Sequence, residues 1–151
     1  MTVHDSAEQQ HQFFIQRLYI KNVSFESPNV PTVFQDEWEP ELNLDLNIKH
    51  TQLENDNYEV VLSVTTQVKN KNKVAFLVEV EQAGIFTIQG TTEEQLEHVL
   101  GSFCPSLLFP YAREVISSEV LRGSFPPLVL SPVNFDAIFW QQKQQTTKET
   151  H

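Results

Sequence analysis

The sequence predicts an α+β fold in which helices pack on one face of a four-stranded antiparallel sheet. Between residues 42 and 88, three runs alternate apolar and polar side chains with the period of two that strands require, and short turns separate them. An aromatic-rich run upstream supplies a fourth strand, and helix-like patterns occupy the chain from Thr91 onward. This order indicates a strand meander entered by one crossover, with the helices gathered afterwards.

The length of 151 residues fits a single domain, which we assign to residues 13–145. Residues 1–12 are polar and acidic, so we expect a disordered amino-terminal tail there. Residues 146–151 are also polar, and we expect a flexible carboxy-terminal tail.

The balance of charge is strongly acidic, with 20 Asp and Glu against 10 Lys and Arg and a net charge of −10. Such a surface repels phosphate backbones and anionic lipids, so we expect neither nucleic-acid binding nor insertion into a membrane. No apolar run reaches the ~18 residues of a membrane span, and the first dozen residues do not resemble a secretory signal. We therefore expect a cytoplasmic protein whose partners are basic.

The first strand is predicted from Phe13 to Glu26, where neither face is cleanly polar, so both faces should be covered for part of their length. Pro28 and Pro31 end it, because proline cannot donate a hydrogen bond to a strand ladder. The other strands alternate more regularly. Their apolar faces consist of Leu42, Leu44, Leu46 and Ile48 in the second, Val60, Leu62, Val64 and Val68 in the third, and Val74, Phe76, Val78 and Val80 in the fourth.

Phe34 and Trp38 lie in an irregular acidic loop between the first two strands. Two interpretations fit them. Both rings could pin the loop onto the core, or they could line a groove that receives apolar segments of another protein.

The helices carry recognisable start and stop signals. Thr91 or Thr92 can cap the first helix, with a Glu or Gln three residues on, as a capping box requires. Prolines at 105 and 110 begin or bend the long second helix, which should stop at Gly123. A last short helix should start after Asn134.

Apolar residues cover more than half of the circumference of the long helix, from Leu107 through Tyr111 and Val115 to Val120. One sheet cannot bury so wide a stripe. A second contact is therefore predicted, either with another subunit or with a ligand, unless the helix is enclosed within its own domain.

Motifs of enzyme chemistry are lacking, since the sequence contains no G-x-S-x-G, P-loop or G-x-G-x-x-G pattern. Glu94 and His98 form an E-x-x-x-H pair on one helix face, but no third metal ligand is identifiable. Cys104 is the only cysteine, so no internal disulfide can form, and it is better interpreted as a small buried apolar residue. We expect no enzymatic activity, no metal and no cofactor.

Two runs resemble the SecB family of bacterial protein-export chaperones. They are GSFCPSLLFPYAREVISSEVLRGSFPPLVLSPVNFDAIF, which begins at Gly101, and RLYIKNVSFESPNVPTVF, which begins at Arg17. The resemblance extends over residues 12–142. It implies a SecB-like fold assembled as a homotetramer, a dimer of dimers, and a chaperone that works without ATP. Such a chaperone binds unfolded secretory preproteins, keeps them competent for translocation and passes them to the SecA ATPase.

The resemblance also implies roles for individual residues. Those at positions that bind SecA, through its basic zinc-bearing tail, are Glu26, Leu77 and Glu79, with Asn22 where the family usually has aspartate. Client-binding candidates, inferred from aromatic content together with the resemblance, are Phe34, Trp38, Leu42, Leu44, Phe76, Tyr111, Leu128 and Phe139. Candidates for the oligomer interface are Val78, Val80 and Gln82 from the resemblance, with Tyr111 and Val115 from the wide helix stripe.

Two alternatives to general export remain at this point. A SecB-like chaperone dedicated to one client, such as an antitoxin, would share all of these features. A small-ligand binder or enzyme could use a cavity between helix and sheet, although few polar residues converge on the apolar faces.

Overall fold

The computed structural model of the chain describes residues 11–149, with side chains to residue 146. The elements in chain order are β1 (Gln12–Glu26), a 3-10 turn (Thr32–Gln35), β2 (Pro40–Gln52), β3 (Asn57–Asn70), β4 (Lys73–Gln89), α1 (Glu93–His98), a π-helical turn (Val99–Phe103), α2 (Cys104–Arg122) and α3 (Phe135–Glu149). The predicted four-stranded antiparallel sheet with helices is confirmed. No helix among residues 11–149 combines the length and the apolar character needed to cross a membrane.

The sheet has the strand order β1-β4-β3-β2, so the first strand pairs with the last and not with its neighbour in sequence. Gln12 lies opposite Gln89, and Glu26 lies opposite Leu77. The loop after β1 therefore crosses the end of the sheet to reach the far edge, where β2 begins at Pro40. The single crossover predicted from the sequence is confirmed.

Two register shifts explain why neither face of β1 is cleanly polar. The pairing with β4 shifts between Ile15 and Arg17 and again between Ile20 and Asn22. Each shift changes the parity of the residues that face the core. The residues of β1 that pack against the core are therefore Phe13, Leu18, Val23 and Phe25.

The core lies between α2 and the central strands β3 and β4. Leu108, Ala112, Ile116 and Val120 of α2 recur every four residues and have no exposed surface. Helix α2 does not extend over β2, although the same face of the sheet continues there. Leu42 and Leu44 are consequently left 47% and 39% exposed.

The wide apolar stripe of α2 is only partly used within the chain. Leu107 and Val115 are half-buried, whereas Tyr111 is 51% exposed. The helix is therefore not enclosed within its own domain, and part of the stripe faces outward.

Helix α2 ends at Arg122 as predicted, but Gly123 is not the residue with a positive φ. Its φ is −80°, and Ser124 adopts the left-handed conformation with φ of 67°. Glycine is needed for space, because a Cβ at position 123 would lie 2.6 Å from the Phe25 ring. The end of α2 therefore packs directly against the end of β1.

The helical region is more continuous than the sequence indicates. Thr92 caps α1 in a capping box with Gln95, as predicted. The π-helical turn then joins α1 directly to α2, so Pro105 does not begin a separate helix. Helix α3 continues to Glu149, into the segment predicted as a flexible tail, while residues 1–10 and 150–151 lie outside the described residues.

Candidate binding groove and docking face

An apolar groove runs beside the uncovered part of β2. Its walls come from the loop before β2, the start of β2 and the segment after α2, and its floor comes from β3 and β4. The residues that line this groove are Trp38, Pro40, Leu42, Val68, Phe76, Pro126, Pro127 and Leu128. Its volume is ≈ 120 Å³.

Aromatic rings hold one end of the groove together. The ring of Phe125 lies 6.0 Å from Trp38, 5.2 Å from Phe34 and 4.9 Å from Phe76. Val33, in the 3-10 turn, is 2% exposed and anchors the loop on the core. Trp38 therefore packs on the core, as the first interpretation requires, and also lines the groove that the second interpretation assigns to a partner protein.

The structure brings together some of the predicted client-binding residues and separates others. Trp38, Leu42, Phe76 and Leu128 line the groove, although Phe76 is 1% exposed and forms only its floor. Phe34 lines an adjoining depression of ≈ 170 Å³ that also contains Trp38.

Leu44, Tyr111 and Phe139 lie outside this groove. Leu44 is two residues farther along β2, and Tyr111 is on the outward surface of α2. Phe139 packs against the π-helical turn, where a Cβ on Gly101 would lie 2.7 Å from its ring. Its role in the structure is to seat α3 on that turn.

Sequence reasoning missed the proline wall of the groove, made by Pro40, Pro126 and Pro127. Pro126 and Pro127 follow the end of α2, where prolines are common because they cannot continue a helix, and Pro40 begins β2. A proline that ends an element also exposes an apolar ring at that end, and this was the signal that could have placed them at a binding surface.

The residues predicted to bind SecA share one surface, the face of the sheet that is opposite the helices. Glu26 lies directly across from Leu77, and Ser24 lies across from Glu79. Asn22 lies across from Glu81, whose carboxylate lies beside the Asn22 position. We call this surface the acidic sheet face and define it by Asn22, Glu26, Leu77, Glu79 and Glu81.

Leu77 is the apolar centre of this face and is half-buried. It borders a shallow depression of ≈ 390 Å³ whose other lining residues include Asp45 and Gln67. An apolar side chain ringed by carboxylates is typical of a protein contact in which charge guides the approach.

A hydrogen bond between Tyr19 and Glu59 lies at the opposite end of the same sheet face. The Tyr19 hydroxyl donates to Glu59 at 2.5 Å, and Lys21 lies 3.2 Å from the same carboxylate. Burial and then this hydrogen bond raise the pKa of Tyr19 to about 12, while the bond from Tyr19 holds the pKa of Glu59 below its ordinary value. Glu59 is thus occupied within the chain and is a poor candidate for a partner contact.

Three residues of the predicted oligomer interface are buried within the single chain. Val78 and Val80 have no exposed surface, and Gln82 is 4% exposed with its amide donating to the Tyr19 carbonyl at 3.1 Å. Their side chains lie on the side of β4 that α2 covers. Alternation showed that these residues share a face, but it did not show that this face is the covered one.

His98 pairs with Asp136 and not with Glu94. Its Nε2 lies 2.5 Å from the Asp136 carboxylate, which also accepts a hydrogen bond from Ser102 at 3.0 Å. The hydrogen bonds from His98 and Ser102 hold the pKa of Asp136 below its ordinary value. Because Ser102 donates to the aspartate and not to the histidine, these side chains do not form the Ser–His–Asp arrangement of a hydrolase triad.

The His98 ring also stacks on Trp140 at 5.5 Å, so these contacts fix α3 on the π-helical turn. Within residues 11–149, no group of three or more His, Cys, Asp or Glu side chains is arranged to hold a metal ion. Cys104 is fully buried, and burial raises the pKa of its thiol to about 12.

Comparisons with known proteins agree on one family. The family model described as preprotein translocase subunit SecB matches residues 6–146. The protein-export protein SecB of Legionella pneumophila strains Corby and Lens is 64% identical over 139 residues, covering 92% of this chain and 86% of that protein. The corresponding protein of strain Philadelphia 1 is 63% identical over the same length.

A solved structure supports the fold independently. The Mycobacterium tuberculosis Rv1957 SecB-like chaperone, in complex with a ChAD peptide from the Rv1956 HigA1 antitoxin, has a TM-score of 0.68 to this chain. The match covers 80% of this chain and 90% of that chain at 19% identity.

Proposed function

Because this chain belongs to the SecB family of protein-export chaperones, we propose that it binds unfolded preproteins in the cytoplasm without ATP and delivers them to the SecA motor. The observation that carries the client-binding step is the apolar groove, where α2 does not cover β2 and Leu42 remains open to solvent. An unfolded client exposes the apolar side chains that such a groove can bury, whereas a folded protein does not.

The shape of the groove supports polypeptide clients over small ligands. Pockets for small molecules usually measure about 300–1,000 Å³, and the groove holds ≈ 120 Å³. It therefore accommodates single side chains of an extended segment. Binding through a few apolar side chains tolerates many sequences, as a general chaperone requires.

A general export chaperone is favoured over a chaperone dedicated to a single client. The chain is 64% identical to protein-export SecB proteins but only 19% identical to the SecB-like chaperone that holds an antitoxin peptide. Binding to several unrelated unfolded proteins in a client panel supports this choice, and binding to one protein alone supports the dedicated chaperone.

Native mass spectrometry tests the function directly. We expect the purified protein to bind a secretory precursor diluted from urea and to ignore the same precursor after it has folded. A protein that binds neither form, or binds both equally, would contradict the proposed role.

We place SecA docking on the acidic sheet face. Glu79→Lys should weaken SecA binding about tenfold, because it reverses one charge at the centre of the face and repels a basic partner. Titration of labelled SecA at two salt concentrations measures this, and the difference from wild type should shrink at high salt.

Glu54→Lys is the matched control for charge, since Glu54 lies in the turn between β2 and β3, at the other end of the sheet. It should leave SecA binding nearly unchanged. Equal losses from both variants would show that only the net charge of the protein matters.

We further propose that the chain forms a tetramer, as the resemblance implies. The apolar residues that the single chain leaves outward on its helix side include Ile15, Ile20 and Tyr111, which are each about half exposed. A second copy would bury this surface, which connects the edge strand β1 with the unused part of the α2 stripe.

Tyr111→Glu should therefore reduce the tetramer to smaller species, because assembly would bury an unpaired carboxylate. Light scattering reports the mass, with wild type expected at four times the 17.4 kDa of the chain. Val129→Glu replaces another exposed apolar residue, in the segment after α2, and should leave the tetramer intact. Monomeric wild type at micromolar concentration would contradict the assembly.

A further inference from the structure

The main chain on either side of Trp38 is held by one buried side chain. The carboxamide of Asn70, at the end of β3, accepts a hydrogen bond from the Glu39 N–H at 2.6 Å and donates to the Glu37 carbonyl at 3.1 Å. Asn70 has no exposed surface. Its two bonds therefore form in a protected environment and enclose Trp38 between them.

The main chain of β3 cannot hold residues 37 and 39 by strand pairing, so a side chain makes these hydrogen bonds. Pro40 lies opposite Asn70 at the start of β2 and has no N–H to donate, so the strand ladder cannot continue into the loop. The carboxamide of Asn70 presents one donor and one acceptor to the main chain, as a peptide group of a neighbouring strand would. Fixing residues 37 and 39 sets the direction in which the Trp38 side chain leaves the backbone.

The other polar contacts to the same loop are weaker or more distant. Lys71 lies 3.8 Å from both the Glu37 and the Glu39 carboxylates, but these groups are exposed. Exposed ion pairs contribute little to rigidity. Asn29 donates to the Val74 carbonyl at 2.9 Å and fixes the loop at its other end.

We propose that Asn70 is a positioning residue for client binding, which holds Trp38 in the wall of the apolar groove without touching the client itself. The inference rests on the proposed function, because it requires that Trp38 contacts clients. A preformed wall spares the client the entropic cost of ordering the loop, so loss of the clamp should appear as weaker binding.

A double-mutant cycle tests the proposal with an unfolded precursor as the probe. Trp38→Ala alone should weaken binding about 30-fold, as expected of a buried aromatic contact. Asn70→Ala should weaken it about tenfold when Trp38 is present and less than twofold in the Trp38→Ala background. This lack of additivity is the signature of a residue that acts through Trp38.

Failure of the positioning role and failure of client binding at the groove would give different results. Equal losses from Asn70→Ala in both backgrounds, or no loss in either, would overturn the positioning role and leave client binding at the groove intact. An unchanged affinity in Trp38→Ala would instead overturn the placement of clients in this groove, and the positioning role with it.

Two further variants keep the test decisive if Asn70→Ala does not fold. Asn70→Asp preserves the shape and the bond from Glu39 but sets a carboxylate oxygen against the Glu37 carbonyl, so binding should fall at least about tenfold. Lys71→Gln removes only the exposed ion pairs to the same two glutamates and should leave affinity unchanged. A larger loss from Lys71→Gln than from Asn70→Asp would contradict the proposal.

Fluorescence supplies a readout that does not depend on clients. In a Trp140→Phe background, Trp38 is the single tryptophan of the chain. Asn70→Ala should then shift its emission to the red and increase its quenching by acrylamide. An unchanged spectrum would show that Trp38 keeps its place without Asn70.

Discussion

Leu42→Glu is expected to lower the affinity for unfolded clients about 100-fold, because binding would bury a carboxylate that has no partner in an apolar groove. Leu42 lines the groove and is 47% exposed in the free chain, so the folded protein gives the new charge access to water. The penalty therefore falls on the complex and not on folding. Fluorescence anisotropy of a labelled precursor measures the change.

Leu53→Glu is the matched control. Leu53 is 41% exposed, directly after β2 and remote from the groove in the strand, and it accepts the same substitution. It should leave the affinity within about twofold of wild type. If the two variants lose affinity equally, added negative charge explains the effect and the groove is not the client site.

Phe86→Ala is expected to lower the free energy of unfolding by about 4 kcal/mol, because it opens a cavity in the centre of the core. Phe86 is fully buried on β4, its ring lies 5.5 Å from that of Phe13, and it pairs with Tyr58 of β3. Urea denaturation followed by circular dichroism measures the change, at one protein concentration because assembly also stabilises the fold.

Phe14→Ala is the matched control, because it truncates the same side chain at the surface of the protein. Phe14 lies opposite Thr87 on the sheet face away from the helices and is 53% exposed. It should cost less than about 1 kcal/mol. A loss from Phe86→Ala no larger than this would mean that the centre of the core lies elsewhere.

Regular alternation made three strands predictable. In β3, Val60, Leu62, Val64 and Val68 share one face although Val61 interrupts the alternation, and the structure buries all four. The helix cap at Thr92 could also be predicted, since a capping box depends only on residues close together in the sequence. Features that depend on neighbouring residues in the chain can be predicted from the sequence.

Features that depend on which elements meet in space were not predictable in the same way. The two register shifts in β1 depend on its pairing with β4, so alternation alone could not locate them. Whether Val78 and Val80 face a partner or the core depends on where α2 lies. Phe139 is a client-binding candidate from its aromatic ring and the family resemblance, and only the structure shows that this ring packs against the π-helical turn.

Asn70 illustrates a signal that was present but easily overlooked. By parity it falls on the same face of β3 as Val64 and Val68, where a polar residue is out of place. Lysines at positions 69, 71 and 73 surround it, and such a cluster is typical of a solvated loop tip. A polar residue on an otherwise apolar strand face indicates a buried hydrogen-bonding role, and the contacts to residues 37 and 39 supply it.

The pairing of β1 with β4 has a consequence for the order of events during synthesis. β2, β3 and β4 can form their hairpins as soon as each emerges from the ribosome, since their contacts are local in sequence. β1 is synthesised first, but its partner is complete only when Gln89 has been added. The apolar side chains of β1 are therefore exposed for longer than those of any other strand, and the nascent chaperone passes through the same aggregation-prone condition as its clients.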